Sequence, residues 1–563
     1  LPARPPEDGL FSEDERELLA EQGMEMAPGR RRRLLNEQFL LYMALTRASH
    51  GLWISYPLAD EEGGALMPSL LIKRLQELFP ALNVETAENL SGPSTIVHPR
   101  QALSQLAVRL SEAKNGEQLP SFWWDLYNWF AVRKEWAGQG KRLLAGLFYK
   151  NSPAPLTEET TRRLYGRKIR ASVSRMERFS ACPFAQFLSY GLRLQKRRVY
   201  KLELFDIGRF FHAALHNLTV SLLEEGRQWG ELTREECYRL AEDETARLVP
   251  RLQEEILLSS QRYRYLAKKL RDTLSRAAVF LAEQDRKSRF KPLGTELSFG
   301  ADGELPPVVF TLRNGSQVEL VGRIDRVDLA RGEGGKAYLR VIDYKSGRTD
   351  LSLEEIYYGL SLQMLTYLDV LLVHAREWLG EEVLPGGVLY FRVHSPFIRA
   401  DGLLPAEKVE REHRKQYRMR GVILADEEVA RLMDTGLLQG YSEIIPVALD
   451  KNGKFYSNAP VWDAERFSLL RCHTRRVIKE CAEAIMSGQV VIAPYRLKGE
   501  KACTYCDFKP VCQFDPLLEG NKFRNLQAES GERIWTALRQ ELRYSQPADN
   551  ERLEQLEEKE GER

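Results

Sequence analysis

The stretch VELVGRIDRVDLARGEGGKAYLRVIDYKS, Val318–Ser346, decides how the rest of the chain is read. Apolar and polar residues alternate from Val318 to Leu329, glycines crowd Gly332 to Gly335, and a second β-branched run climbs to Ile342. Alternation with a period of two on either side of a glycine-rich turn predicts a β-hairpin. Its strands carry Asp325 and Asp343, with Lys345 two places after Asp343. Side chains two apart along a strand share a face, so Asp343 and Lys345 project together while Tyr344 points away. Two acids and a lysine at one sheet edge suit a divalent cation, the lysine orienting a water or offsetting charge at a phosphate. The plain alternative, surface carboxylates on an ordinary antiparallel pair, stays open on the hairpin alone.

The flanks narrow the choice. Leu353–Leu379 has a helical period, and Gln363 and Tyr367 stand at i and i+4 on one face. Gly387 to His394 predicts a further strand, Glu296 falls in a predicted strand upstream, and His212 lies in a helix start, Gly208 to His216. The ordered set is His212, Glu296, the GRID of Gly322–Asp325, the DYK of Asp343–Lys345 and the QxxxY of Gln363–Tyr367. It resembles the RecB-like branch of the PD-(D/E)xK nuclease superfamily. That resemblance implies an α/β, restriction-endonuclease-like core and Mg²⁺-dependent hydrolysis of DNA. His212, Asp325, Asp343 and the Tyr344 backbone carbonyl would hold the metal, and Lys345 would serve the chemistry. Gln363 and Tyr367 would position the metal's surroundings or the DNA backbone, and Glu296 would support a ligand water or end its strand. Nothing in the sequence resembles a base-reading element, so cutting is expected to be largely indifferent to sequence.

Seven cysteines in a chain without a signal-peptide pattern do not predict a disulfide framework. Cys503, Cys506 and Cys512 form a C-x2-C-x5-C trio that lacks one thiol for a four-cysteine site. Zinc and a [4Fe–4S] cluster both accept four thiolates, and Cys182, beside Pro183 far upstream, is the candidate fourth. An early single cysteine, the nuclease motifs and then the trio resemble the iron–sulfur nucleases of the AddB type. The resemblance implies a [4Fe–4S] cluster on Cys182, Cys503, Cys506 and Cys512 that clasps the start of the nuclease domain to its end. Cys237, Cys472 and Cys481 read as ordinary thiols.

Four segments follow. Residues 1–60 hold NEQFLLYMALTRASHGLWISYP (Asn36–Pro57), read as a helix leading into a strand at Leu52–Tyr56. This resembles motif VI of superfamily 1 helicases and makes Arg47 the residue that would reach a nucleotide's γ-phosphate. Gln38 and Phe39 depart from the basic residues common there, and the chain has no GxxxxGK[ST] loop, so ATP belongs only to a full-length complex. Residues 61–165 read as a helical connector whose aromatics, Phe122 to Phe130, have core spacing rather than that of a base-stacking platform. Residues 166–530 are the nuclease domain, in which Ser174 is expected to cap a helix bearing Glu177 and Phe179. Residues 531–563 read as a charged tail, of which Ser545–Arg563 is expected to fray.

The chain begins at Leu1 without a methionine and reads as a piece of a longer protein. A net charge of +2 leaves nucleic acid neither favoured nor excluded, although Arg30–Arg33, Arg193–Lys201 and Lys408–Arg420 are locally basic. No apolar run is long enough to span a bilayer, so a cytoplasmic place is the default. Nearly the full length resembles the C-terminal half of AddB-type subunits of bacterial helicase–deoxyribonucleases. That implies an AddA-type partner subunit, a single strand from an unwound duplex end as substrate, and processing of double-strand breaks for recombination. Two alternatives from other classes are a non-catalytic DNA-binding scaffold subunit and a zinc-stabilised accessory to an ATP-driven motor. The intact acid–acid–lysine set speaks against the first, and the missing phosphate loop against the second.

Overall fold

The computed structural model describes residues 11–544 apart from 25–26, 61–62, 87–95, 198, 253–255, 348, 397, 399–401, 403–404 and 519. The tail expected to fray, Ser545–Arg563, lies outside the described residues. Two compact units emerge, Leu1–Tyr149 and Lys150–Arg563.

In the first unit, helices α1 (Pro99–Lys114), α2 (Ser121–Val132) and α3 (Lys134–Leu147) surround a small core. Ala102, Leu106 and Leu110 recur every four residues and so form one stripe, which packs on Trp123 and Phe130. Phe130 meets Trp136 edge-on at 5.6 Å. The aromatic run therefore fills a core, as its spacing predicts. Arg30–Thr46 is helical and Arg47 caps it, exposed. Leu52–Tyr56 is not a strand, contrary to expectation. No neighbouring strand among the described residues offers it a ladder, and an apolar run without one has no reason to hold strand geometry.

Nine strands of the second unit bear on the site: β1 (Lys168–Ala171), β2 (Lys291–Phe299), β3 (Val308–Thr311), β4 (Gln317–Leu320), β5 (Gly322–Arg331), β6 (Ala337–Lys345), β7 (Val383–Arg392), β8 (Arg420–Leu424) and β9 (Val461–Trp462). Six form one sheet in the order β9-β8-β7-β6-β5-β2. The expected hairpin is its centre: β5 and β6 run antiparallel, with Val327 opposite Val341 and Arg326 opposite Ile342. Gly334 and Gly335 turn it at φ 66° and 78°, a region that side-chain-bearing residues avoid. Through residue 344, β6 is buried at every position, as befits an interior strand covered on both faces.

Five helices frame this sheet and are α4 (Val173–Ala181), α5 (Leu204–Glu224), α6 (Gln363–Leu379), α7 (Ala464–Met486) and α8 (Gly531–Tyr544). Because β6 and β7 are parallel, the chain needs a crossover between them, and α6 supplies it.

Four local readings are corrected here. The alternating run Val318–Leu329 is two strands: β4 leaves at Val321 to pair with β1 and β3 in a separate sheet. The helical segment from Leu353 is also two pieces, Leu353–Tyr357 and α6. Gly359 breaks it at φ 72°, where an added Cβ would stand 2.7 Å from Ser180 Oγ. The cap of α4 is Ser172, whose hydroxyl accepts the Arg175 N–H, rather than Ser174. Finally, the start of the tail is α8, which buries Ile534, Trp535 and Leu538 and sets Trp535 edge-on to Trp462. Its charged residues line the outer face of an amphipathic helix.

The hairpin's other side hides an ion triad. Asp328 accepts from Arg326 Nε at 2.6 Å and from Arg340 Nε at 2.8 Å, and all three residues are at most 2% exposed. Arg340 also lies over the Phe290 ring at 4.8 Å. No helix among the described residues is long and apolar enough to cross a membrane.

Candidate active site

The hydrogen-bonded ladder between β5 and β6 ends at the pair Arg326–Ile342. One step further on, the strands open, and Asp325 Oδ2 accepts the Tyr344 N–H at 2.8 Å. A side chain replaces the backbone acceptor, which fixes the Asp325 carboxylate in the fork. Asp343 stands across the fork, 1% exposed. Its Oδ2 lies 2.7 Å from Lys345 Nζ, as the shared strand face predicts. Its Oδ1 accepts from Gln363 Nε2 at 3.1 Å, and that same amide donates to the Tyr367 hydroxyl at 3.1 Å. Gln363 and Tyr367 thus occupy one face of α6, in its first turns.

β2 and α5 complete the group. Thr295 pairs with Arg326 and Leu297 with Ile324, so Glu296 is level with Asp325. Glu296 therefore lies within its strand rather than ending it. It adopts φ 53°, a left-handed conformation that costs a residue with a side chain on the order of 1–3 kcal/mol. Its Oε2 pairs with Arg323 at 3.0 Å, and its Oε1 is 3.8 Å from His212 Nδ1. His212, from α5, also comes within 3.3 Å of Asp325 Oδ1. One ligand atom each from His212, Glu296 and Asp325 lies within 4.8 Å of the others. These three could hold a metal ion, whereas the sequence reading gave Glu296 only a supporting place.

The electrostatics are those of crowded acids. Burial, and then the charge of Asp325, push Asp343 up to about 6 despite the Lys345 ammonium. Burial works against the His212 imidazolium, but Asp325, Glu296 and Asp343 outweigh it and lift the ring to about 10. Burial also opposes charge on Glu296, yet His212 and Arg323 prevail and hold it below the usual carboxylate range. Burial raises the Tyr367 phenol, which keeps it protonated. Hard carboxylate oxygens with one imidazole are donors that fit a divalent cation such as Mg²⁺. The group opens into a cleft of about 1250 Å³ whose walls include Lys196, Arg197, Lys201, Arg209 and Arg251.

Cys182 is buried at the end of α4. The structure brings it to the trio, since the thiol of Cys503 feels the charges of Cys182 and Cys506, and that of Cys512 feels all three others. Burial first, then this mutual repulsion, pushes Cys503 and Cys512 up to about 11. Thiols are donors that zinc or a [4Fe–4S] cluster accepts, and no three of these four sulfurs lie within 4.8 Å of one another. Cys237 and Cys481 are buried in helices, with Cys481 Sγ 3.3 Å from Ser180 Oγ. Arg47 belongs to the first unit, where it is exposed.

Sequence reasoning missed Glu177. Its Oε1 accepts the N–H groups of Leu362 at 2.7 Å and Gln363 at 3.0 Å, at the start of α6. Burial raises its carboxyl above the usual range, against the pull of those N–H groups and of Lys345. The only signal was an acid on a helix whose other face is core.

Comparison with known proteins agrees with this geometry. The PD-(D/E)XK nuclease superfamily matches residues 170–513. The fifth domain of the ATP-dependent helicase/deoxyribonuclease AddB matches residues 91–146. Three relatives are each named as the B subunit of an ATP-dependent helicase/deoxyribonuclease. The one from Pelotomaculum thermopropionicum is 48% identical over 96% of this chain and 47% of its own length. That from Desulforamulus reducens is 46% identical with the same coverages, and that from Bacillus subtilis is 44% identical, again with the same coverages. The chain spans about half the length of these relatives.

Proposed function

The chain belongs to the PD-(D/E)XK nuclease superfamily, and from that premise we propose that it forms the nuclease-bearing half of an AddB-type subunit of a helicase–deoxyribonuclease. In this reading it hydrolyses DNA phosphodiesters as an Mg²⁺-dependent exonuclease, acting on a single strand that an AddA-type partner releases from a duplex end. The observation that carries the reading is the fork between β5 and β6, where Asp325 and Asp343 meet His212, Glu296, Lys345 and Gln363.

His212, Glu296, Asp325 and Asp343, with the Tyr344 carbonyl, would hold the cation. Bound there, Mg²⁺ supplies a water of lowered pKa and offsets charge on the scissile phosphate. Lys345 donates hydrogen bonds toward the attacking oxygen or the crowded phosphate, and its pairing with Asp343 sets where its ammonium stands. Gln363 fixes the rotation of the Asp343 carboxylate, and the protonated Tyr367 hydroxyl fixes Gln363 in turn. The lysines and arginines of the cleft hold the strand by its phosphates, which gives no preference for sequence.

The four gathered cysteines would carry a [4Fe–4S] cluster that ties Cys182, where the nuclease domain begins, to the segment at its end. ATP enters through the whole complex, with Arg47 as this chain's contribution.

The test is Mg²⁺-dependent cutting of single-stranded DNA by the intact protein together with its partner, comparing wild type with Asp343→Ala and Lys345→Ala. Loss of cutting with DNA binding retained supports the reading. Unchanged cutting in both variants, or no Mg²⁺-dependent cutting by the wild type, leaves a DNA-binding scaffold instead.

A further inference from the structure

We infer that Glu177 is a positioning residue of the nuclease site, capping α6 from another helix and thereby setting where the Gln363 amide meets Asp343. The inference rests on the nuclease reading above.

A helix leaves its first N–H groups without partners inside the helix, and a side chain at the N-cap usually satisfies one of them. At the start of α6 the N-cap is Leu362, which has no acceptor to give. Glu177 does this from α4, its one oxygen taking both the Leu362 and the Gln363 N–H. A carboxylate at that end also meets the positive pole of the helix dipole. The residue whose backbone is held is the one whose side chain acts: Gln363 donates one amide hydrogen to Asp343 and the other to Tyr367. Glu177, Gln363 and Asp343 are thus a relay of three hydrogen-bonded groups.

The surroundings give this relay little slack. α4 presses against the turn before α6 so closely that a methyl on Gly359 would sit 2.7 Å from Ser180 Oγ. At its far end α4 runs directly into buried Cys182. Gln363 is the first residue of its helix, where an uncapped turn frays. Without Glu177, α6 keeps its packed body and loses the definition of the one turn that reaches Asp343.

A misplacement on the scale of an ångström at a reacting centre costs up to about a hundredfold in rate. The experiment measures kcat and KM for single-stranded DNA in the intact complex for Glu177→Ala, Glu177→Gln, Gln363→Ala and the double variant Glu177→Ala with Gln363→Ala. Glu177→Ala is expected to lower kcat about 10- to 100-fold with KM for DNA unchanged. Glu177→Gln keeps an oxygen that accepts both N–H groups, so it is expected to stay within about threefold of wild type. Because Glu177 acts through Gln363, the double variant is expected to be no slower than Gln363→Ala alone. If Glu177→Ala gives no folded protein, Glu177→Leu keeps the volume without the acceptor and carries the same expectation.

A cap that only stabilises the fold would lower the melting temperature and leave kcat per folded molecule unchanged, and that outcome overturns the inference. So does a double variant whose losses simply multiply. Asp343→Ala serves as the reference. If it abolishes cutting while Glu177→Ala does not slow it, the nuclease reading stands and this inference falls; if Asp343→Ala cuts normally, both fall.

Discussion

Replacing Asp328 with alanine is the sharpest stability test that the hairpin offers. The Asp328 carboxylate is the only anion hydrogen-bonded to the Arg326 and Arg340 guanidiniums among the described residues, at 2.6 and 2.8 Å, and it is itself fully buried. Burial opposes its charge, yet the two guanidiniums dominate and hold its carboxyl below the usual range. Asp328→Ala leaves two cations buried without their counter-charge, and breaking a buried pair in this way costs about 3–5 kcal/mol. At roughly 2 °C per kcal/mol for a large domain, the melting temperature falls by about 6–10 °C. Thermal and urea melts followed by circular dichroism read this directly.

The triad differs from its parts. Nη1 of each arginine has no hydrogen-bond partner among the described residues. Replacing all three charged residues together (Arg326→Met, Asp328→Leu, Arg340→Met) therefore recovers most of the loss. The pH sign follows from the lowered carboxyl: its contribution is complete above the unfolded value of about 3.9 and disappears as pH falls through the lower folded value. A loss below about 1 kcal/mol for Asp328→Ala, or a triple variant less stable than the single one, would refute the reasoning.

Three further outcomes are expected. Glu296→Gln weakens divalent-cation affinity about 10- to 100-fold, read by Mn²⁺ titration calorimetry, because it removes a charged oxygen from the group around His212; unchanged affinity takes Glu296 out of the donor set. Gly359→Ala destabilises by about 1–3 kcal/mol in urea melts, since the new methyl meets Ser180 and Val477 at 2.7 and 2.8 Å in a left-handed backbone; a neutral result means the turn before α6 relaxes. Trp535→Ala costs about 3–5 kcal/mol and exposes α8 to limited proteolysis. An unaltered cleavage pattern would mean that the helix does not depend on that anchor.

Where a site residue is held by strand or helix period, the sequence showed it. Asp343 and Lys345 share a face because they are two apart, and Gln363 and Tyr367 because they are four apart; the structure keeps both pairs in contact. The break at Val321 was invisible because alternation continues across it, and nothing local says that β4 joins β1, whose partner Lys168 is far upstream of Gln317. The gap before α6 was hidden in the same way, with apolar period on both sides and Gly359 as its one mark. Glu177 meets Gln363 across 186 residues of chain, a contact no local pattern encodes. Glu296 was placed in its strand, but its left-handed backbone was not legible, because that conformation is imposed by what surrounds it.

The fork explains how two carboxylates at a hairpin end are held in fixed orientations. Each acid is gripped on one oxygen by an uncharged donor: Asp325 Oδ2 by the Tyr344 N–H, and Asp343 Oδ1 by the Gln363 amide. Neutral donors fix orientation without cancelling charge. The remaining oxygens face cationic side chains, Asp325 Oδ1 toward His212 and Asp343 Oδ2 toward Lys345. Both acids therefore stay oriented and keep a charged edge directed at the same space. A continuous ladder would have spent the Tyr344 N–H on a backbone carbonyl and left Asp325 free to turn to solvent. The opening of the strands is thus what orients the two acids, and their remaining partners come from α5 and α6, which the hairpin sequence alone does not contain.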